Sequence, residues 1–206
     1  MLSLTGEDLG FADRLQRIVG SIPTTQFLVV TIGSDDCLPC VYLRPHIRKL
    51  AFELQNWMSL LELDGTKAHD WVRAFDIKAY PELLFFQGGA LIERLTGFPG
   101  GPDLRRLVLK TLEITEQRPP SAEDLAFALA EEKARLAFDE SLKALRENSD
   151  CDFEAVRRQA LPIFEQAMMQ AVEAFTKSHR ARPAMQIRAP GMMCLPGQDY
   201  CYVSKR

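Results

Sequence analysis

The sequence predicts an α/β domain, a central mixed sheet flanked by helices, followed by an α-helical hairpin and an irregular C-terminal tail. Three observations carry that expectation. Up to about residue 115, strand-length apolar runs alternate with amphipathic helical stretches. Two of those runs, Leu83 to Phe86 and Ala90 to Leu95, are separated only by Gln87-Gly88-Gly89, a hairpin signal. Beyond Pro119-Pro120 the composition changes, and two long helical stripes follow. Strands separated by helices and closed by an antiparallel hairpin assemble into a layered α/β sandwich.

Taken in order, Met1 to Thr5 is a short strand candidate. Glu7 to Val19 reads as a helix with Leu9, Leu15, Ile18 and Val19 on one face. Phe27 to Ile32 is a β-branched run ended by Gly33-Ser34, as expected of a buried strand. Pro39 to Trp57 is a long helix, Ser59 to Leu63 a strand closed by Asp64-Gly65, and Lys67 to Phe75 a short helix. The hairpin and a closing helix, Pro102 to Leu112, complete this part. Pro119-Pro120 then makes a stiff break, and Ser121 followed by Glu123 and Asp124 is an N-cap with acids in the first turn. That helix runs to Glu147 with Phe127, Ala134, Phe138, Leu142 and Leu145 at helical spacing. After the Asn148-Ser149-Asp150 turn, a second helix runs from Asp152 to His179. Its expected stripe is Phe153, Val156, Ala160, Ile163, Ala167, Ala171 and Phe175, and Pro162 should kink or split it. The expected organisation is therefore 1–117, 118–179 and 180–206.

Composition narrows the function classes. Apolar residues make up 47% and charged residues 26% of 206 residues, which excludes a mainly disordered or collagen-like chain. Five cysteines are too few to replace a core. A net charge of −3 argues against nucleic acid as the partner of the whole chain. The charge is uneven: five basic residues against Asp199 make the last 27 residues formally +4 and leave −7 for the preceding 179. Nucleic acid or an acidic partner is thus expected, if anywhere, at the tail. The apolar runs fall well short of the roughly 18 residues that a membrane span needs. Met1 to Thr5 meets Glu7 and Asp8 without a basic or continuously apolar leader, so a reducing compartment such as the cytoplasm is expected.

In that setting two cysteines spaced two apart point to redox or metal chemistry. Cys37-Leu38-Pro39-Cys40 follows a buried strand and opens a long helix. A helix N-terminus offers unpaired N–H groups and a positive dipole end, which favour a thiolate. Cys37, at the exposed end, would attack a substrate disulfide, and Cys40, one turn in, would resolve the mixed disulfide. Half of a zinc site looks the same. Its other half would need a second close pair, and Cys151, Cys194, Cys201, His46, His69 and His179 form none.

Residues 1 to about 112 resemble thioredoxin. The residues that carry the resemblance are Leu4-Thr5 before Glu7-Asp8, Cys37-x-Pro-Cys40, Pro45 five residues after Cys40, and Ile77-Lys78-Ala79-Tyr80-Pro81 leading into Glu82 to Phe86. The resemblance implies a thioredoxin fold with Pro81 cis and facing the active pair. It also implies a substrate surface of Leu38, Pro39, Tyr80 and Pro81, in which the Tyr80 backbone pairs with an extended substrate segment. Some positions depart from the family. Asp36, preceded by Asp35, stands where an aromatic residue is usual, and carboxylates there oppose a thiolate. Thr31 replaces the family's buried acid, which is thought to assist proton transfer at the second cysteine. Leu60 replaces the lysine paired with that acid, and Leu38 replaces a glycine. Arg44 and His46, further along the helix, either partly offset these acids or, as is the default for exposed charges, form a solvated helix face, which is the expected reading.

The expected function is thiol–disulfide oxidoreduction on protein partners through Cys37 and Cys40. A protein reductase would restore the pair, and the dithiol itself would be the redox centre, with no metal or organic cofactor. Cys194 and Cys201 are candidates for a second redox pair, against two ordinary thiols in a terminal segment. Cys151 reads as an unreactive thiol. Residues 121–206 are the candidate surface for a homo-oligomer or a complex partner. The rival reading, from a different class, is a thioredoxin-fold scaffold or assembly subunit with little redox activity.

Overall fold

A computed structural model describes residues 6–116, 121–147, 153–180, 186–189, 192–194 and 201–204. The chain divides into two compact units, Met1–Leu112 and Glu113–Arg206. The expected first strand, Met1 to Thr5, lies outside the described residues, as do Pro119-Pro120, the Asn148–Asp150 turn and Cys151.

The first unit runs α1 (Gly6–Gly20), β1 (Phe27–Gly33), α2 (Leu38–Glu53), β2 (Met58–Asp64), α3 (His69–Ala74), β3 (Glu82–Gln87), β4 (Ala90–Thr96) and α4 (Gly101–Thr111). Its sheet has the order β2-β1-β3-β4. β1 is parallel to β2, with Thr31 opposite Glu62, and antiparallel to β3; β3 and β4 form the hairpin. Gly88 and Gly89 both hold positive φ, 55° and 92°, which a two-residue turn of this kind demands and side chains resist.

The central strands β1 and β3 are covered on both faces, which is why they read as continuous apolar runs. On one face Leu28, Val30, Ile32, Leu84 and Phe86 pack with Phe11 and Val19 of α1 and Trp71 of α3. Successive side chains alternate across a strand, so Val29, Thr31, Leu83 and Phe85 serve the other face. The buried side of α2 (Cys40, Val41, Leu43, Ile47, Leu50) and that of α4 (Leu104, Val108) complete the interior of the unit.

The second unit contains β5 (Ile114–Glu116), α5 (Ala122–Glu147), α6 (Phe153–Arg180) and the short strands β6 (Gln186–Ala189), β7 (Met192–Cys194) and β8 (Cys201–Ser204). The strands form a sheet in the order β5-β8-β7-β6. None exceeds four residues, in keeping with the prolines and glycines that interrupt this segment. Ser121 caps α5: its hydroxyl accepts from the Asp124 N–H at 3.2 Å, while its own N–H donates to the Asp124 carboxylate at 2.9 Å. Helices α5 and α6 form the expected hairpin, with Phe127 meeting Phe175 and Phe138 meeting Phe164.

Helix α6 runs through Pro162 without a split, and its expected stripe is corrected in part. Of the expected stripe, Ala160 and Phe175 are buried, together with Leu161, Phe164, Met168 and Val172, while Ile163 is 47% exposed; the Phe153 and Val156 side chains lie outside those described. Two nearly adjacent stripes compete on this helix, and the one carrying the larger Phe164 and Met168 side chains removes more apolar area from water. Among the described residues, no helix is long and apolar enough to cross a membrane.

Candidate functional site

Gly33 ends β1, and four residues later the chain turns into α2 with Cys37 as its N-cap. The Cys37 sulfur accepts from the Cys40 N–H at 3.2 Å, and the Cys37 carbonyl accepts from the N–H groups of Cys40 and Val41 at 3.0 and 3.1 Å. Pro39 sits in the first turn, where its missing N–H costs nothing. One helical turn therefore brings the two Cα atoms to 5.2 Å, and Cys37 and Cys40 are joined by a disulfide. Cys37 and Leu38 are half-buried, Pro39 is exposed, and Cys40 is only 2% exposed. A disulfide so close to β1 requires a residue without a side chain behind it. A Cβ on Gly33 would lie 2.9 Å from the Cys40 sulfur.

The Tyr80–Pro81 bond is cis, as the resemblance implied. Pro81 is buried at the head of β3, and its carbonyl accepts from the Gly97 N–H at 2.7 Å. Glu82, next in the chain, is 1% exposed and gives its two carboxylate oxygens to Arg94 and Thr96 on β4, each at 2.6 Å. Tyr80 is half-buried, and its ring occupies the space that a Cβ on Gly65 would need.

Cys40 and Pro81 share a cleft of about 240 Å³ with Thr31, Arg44, Arg48 and Glu62. Arg48 Nε donates to Glu62 Oε2 at 2.7 Å. Asp35 and Asp64 also line the cleft. The Lys67 ammonium, bonded to Asp64, holds that carboxyl down at about 2, with Thr66 adding hydroxyl and N–H donors. Asp36 is exposed.

The expectation that Arg44 and His46 form a solvated helix face is corrected. Arg44 pairs with Asp35 and donates to the Ser34 carbonyl at 3.3 Å. One of the two acids before Cys37 thus faces a guanidinium. His46 is 8% exposed, its ring 5.4 Å from that of Phe98 and packed against Gly101. Helix α2 is enclosed on that side by the loop before α4, and helical spacing alone cannot reveal this. Arg48 and Glu62 drew no attention in the sequence. Glu62 stands beside Thr31 only because β1 and β2 pair in parallel in this register.

The family model described as Thioredoxin matches residues 12–110. Residues 12–110 form a thioredoxin domain. The four-stranded sheet with helices on it is a thioredoxin fold, and the disulfide-bonded pair in a C-x-x-C arrangement supports a thioredoxin-like redox role. Among similar proteins, "Bifunctional thioredoxin reductase/thioredoxin" of Mycobacterium leprae is 30% identical over 79 residues, 38% of this chain and 17% of that protein. The chain thus spans about a sixth of that relative's length. "Thioredoxin" of Mycoplasmoides gallisepticum is 25% identical over 87 residues, 42% of this chain and 86% of that one. Among solved structures, Fasciola hepatica thioredoxin is 20% identical with a TM-score of 0.43, covering 48% of this chain and 93% of its own.

Outside the thioredoxin domain, Cys194 on β7 is the register partner of Cys201 on β8. Among the described residues, no group of three or more His, Cys, Asp or Glu is arranged to hold a metal ion.

Proposed function

We propose that this protein is a protein-disulfide oxidoreductase of the thioredoxin type, with Cys37 as nucleophile and Cys40 as resolving cysteine. The observation that carries this reading is the disulfide at the N-terminus of α2, its two cysteines differing in exposure. Attack needs an accessible thiolate, and resolution needs a second thiol held within reach and shielded from other partners. Starting from the dithiol, the Cys37 thiolate attacks a substrate disulfide, one substrate sulfur leaves, and a mixed disulfide forms. Cys40 then attacks Cys37, releases the second substrate sulfur and closes the Cys37–Cys40 bond. Two electrons pass to the substrate, and the dithiol is the whole redox centre.

Leu38, Pro39, Tyr80 and Pro81 are the surface on which an extended substrate segment docks. The cis bond before Pro81 and the cleft it shares with Cys40 support that assignment. A protein reductase is the reading for the electron source, in line with the name of the bifunctional relative. The direct register of Cys194 with Cys201 supports reading them as a second redox pair. The helical hairpin, which exposes Leu125, Leu129 and Leu136 along one stripe of α5, is the candidate for partner recognition.

Insulin reduction with dithiothreitol as donor tests the main reading. The full chain should accelerate it, and Cys37→Ser should abolish the acceleration. Acceleration that survives loss of both Cys37 and Cys40, or a wild-type chain without activity, overturns it. Mass spectrometry after partial oxidation tests the tail pair, which fails if no disulfide joins Cys194 to Cys201.

A further inference from the structure

Cys40 presents a chemical difficulty if it is to act. It is 2% exposed, and burial disfavours the charged thiolate. Only the thiolate attacks the mixed disulfide. A proton must therefore leave Cys40 as it attacks, and something within the cleft has to take it. Thr31, the polar side chain by which β1 lines the cleft, is a hydroxyl that does not titrate in this range.

The groups facing the cleft can be taken element by element. From the loop after β1 comes Asp35, paired with Arg44 and 86% exposed at the side chain, at the outer rim. From the end of β2 comes Asp64, committed to Lys67 and Thr66 and held at about 2, a weak base for a thiol proton. From α2 come the cations Arg44 and Arg48. What remains is Glu62, on the β2 wall, opposite Thr31 in the strand register and one-third exposed at the side chain. Arg48 reaches across from α2 and fixes its carboxylate.

We propose that Glu62, tethered by Arg48, accepts the Cys40 proton through solvent in the cleft as the Cys37–Cys40 disulfide forms. The inference rests on the oxidoreductase reading. In the resolving step the Cys40 S–H bond breaks and its proton passes to Glu62. The sulfur electron pair forms the Cys37–Cys40 bond, the bond from Cys37 to the substrate sulfur breaks, and the substrate leaves with that pair as a thiolate. Glu62 then passes its proton to the leaving thiolate or to solvent. Arg48 is a positioning residue, which keeps the carboxylate at the cleft wall instead of in bulk water.

Stopped-flow reaction of the reduced full chain with 5,5′-dithiobis(2-nitrobenzoate) separates the two steps. Attack by Cys37 releases one thionitrobenzoate and resolution by Cys40 releases the second. The Cys37→Ser/Cys40→Ser protein supplies the background of the other three thiols. At pH 7, Glu62→Gln should slow the second phase about tenfold or more, the low end of general acid–base effects, and leave the first within about twofold. The deficit should shrink towards pH 9.5, where hydroxide removes the proton directly. Arg48→Met, which keeps the carboxylate, should slow the second phase less than Glu62→Gln does. A second phase in Glu62→Gln equal to wild type at pH 7, or slowed by the same factor at every pH, overturns the inference. A wild-type protein with no second phase overturns the oxidoreductase reading and the inference with it.

Discussion

Replacing Arg94 should cost this protein more than removing both Arg94 and its buried partner. Glu82 follows Pro81, is 1% exposed, and among the described residues is held by the Arg94 guanidinium, whose Nε and Nη2 both lie 2.6 Å from Oε1, and by Thr96 Oγ1 at 2.6 Å. In Arg94→Met the carboxylate stays buried with a single donor left. Breaking a buried pair costs about 3–5 kcal/mol when the remaining charge is fully enclosed. The Arg94 side chain is 44% exposed, so water reaches its end of the pair and screening lowers the cost to about 2–3 kcal/mol. In Glu82→Met/Arg94→Met no charge remains, and apolar side chains of similar volume fill the slot, within about 1 kcal/mol of wild type. Urea unfolding reads both. The chain has two tryptophans, Trp57 and Trp71, and both lie in the Met1–Leu112 unit, so their fluorescence follows that unit alone. A double variant as unstable as Arg94→Met, or an Arg94→Met within about 0.5 kcal/mol of wild type, would refute the reasoning, since the ordering rests on the stranded charge.

Gly33→Ala puts a Cβ 2.9 Å from the Cys40 sulfur and 3.2 Å from its Cβ. Overpacking of this kind costs about 1–3 kcal/mol, and thiol titration after mild oxidation should find more free thiol than in wild type; an unchanged count would show that the backbone yields. Asp64, held at about 2 instead of 3.8 by Lys67 and Thr66, stabilises the fold above its ordinary value and loses that contribution as pH falls towards 2. Carbon-13 titration of its carboxyl should give a midpoint near 2 that moves up towards 3.8 in Lys67→Met; a wild-type midpoint near 3.8 would contradict the Asp64–Lys67 geometry.

Much of the site was legible in the chain because its signals are local. A C-x-x-C after a buried strand and before a helix needs one helical turn to bring its sulfurs together. The Tyr80-Pro81 step is what the resemblance to thioredoxin over Ile77 to Phe86 implies. The helix stripes were less secure. On α6 the expected row through Ala160, Ile163, Ala167 and Ala171 and a row including Phe164 and Met168 run almost side by side, and one sequence cannot say which row the partner helix covers. Arg44 and His46 failed for a related reason. A polar side chain on a helix defaults to solvent, and only what packs above it, here Asp35, Phe98 and Gly101, removes it from water.

The amino-acid sequence by itself determined the thioredoxin domain, its order of strands and helices, the pair Cys37 and Cys40, and the hairpin that follows. The elements, the cysteine pair and the hairpin depend on propensity, periodicity or spacing between neighbours, and the domain on its resemblance to thioredoxin at Cys37-x-Pro-Cys40, Pro45 and Ile77 to Phe86. The tertiary structure alone decided that Arg48 and Glu62 line the cleft with Cys40, Pro81 and Thr31, and that Glu82 is buried under Arg94 and Thr96. These residues meet through strand register and helix-on-sheet packing. Both are settled by which buried surfaces and charges can be satisfied together, a condition on the whole domain that no single stretch of sequence contains.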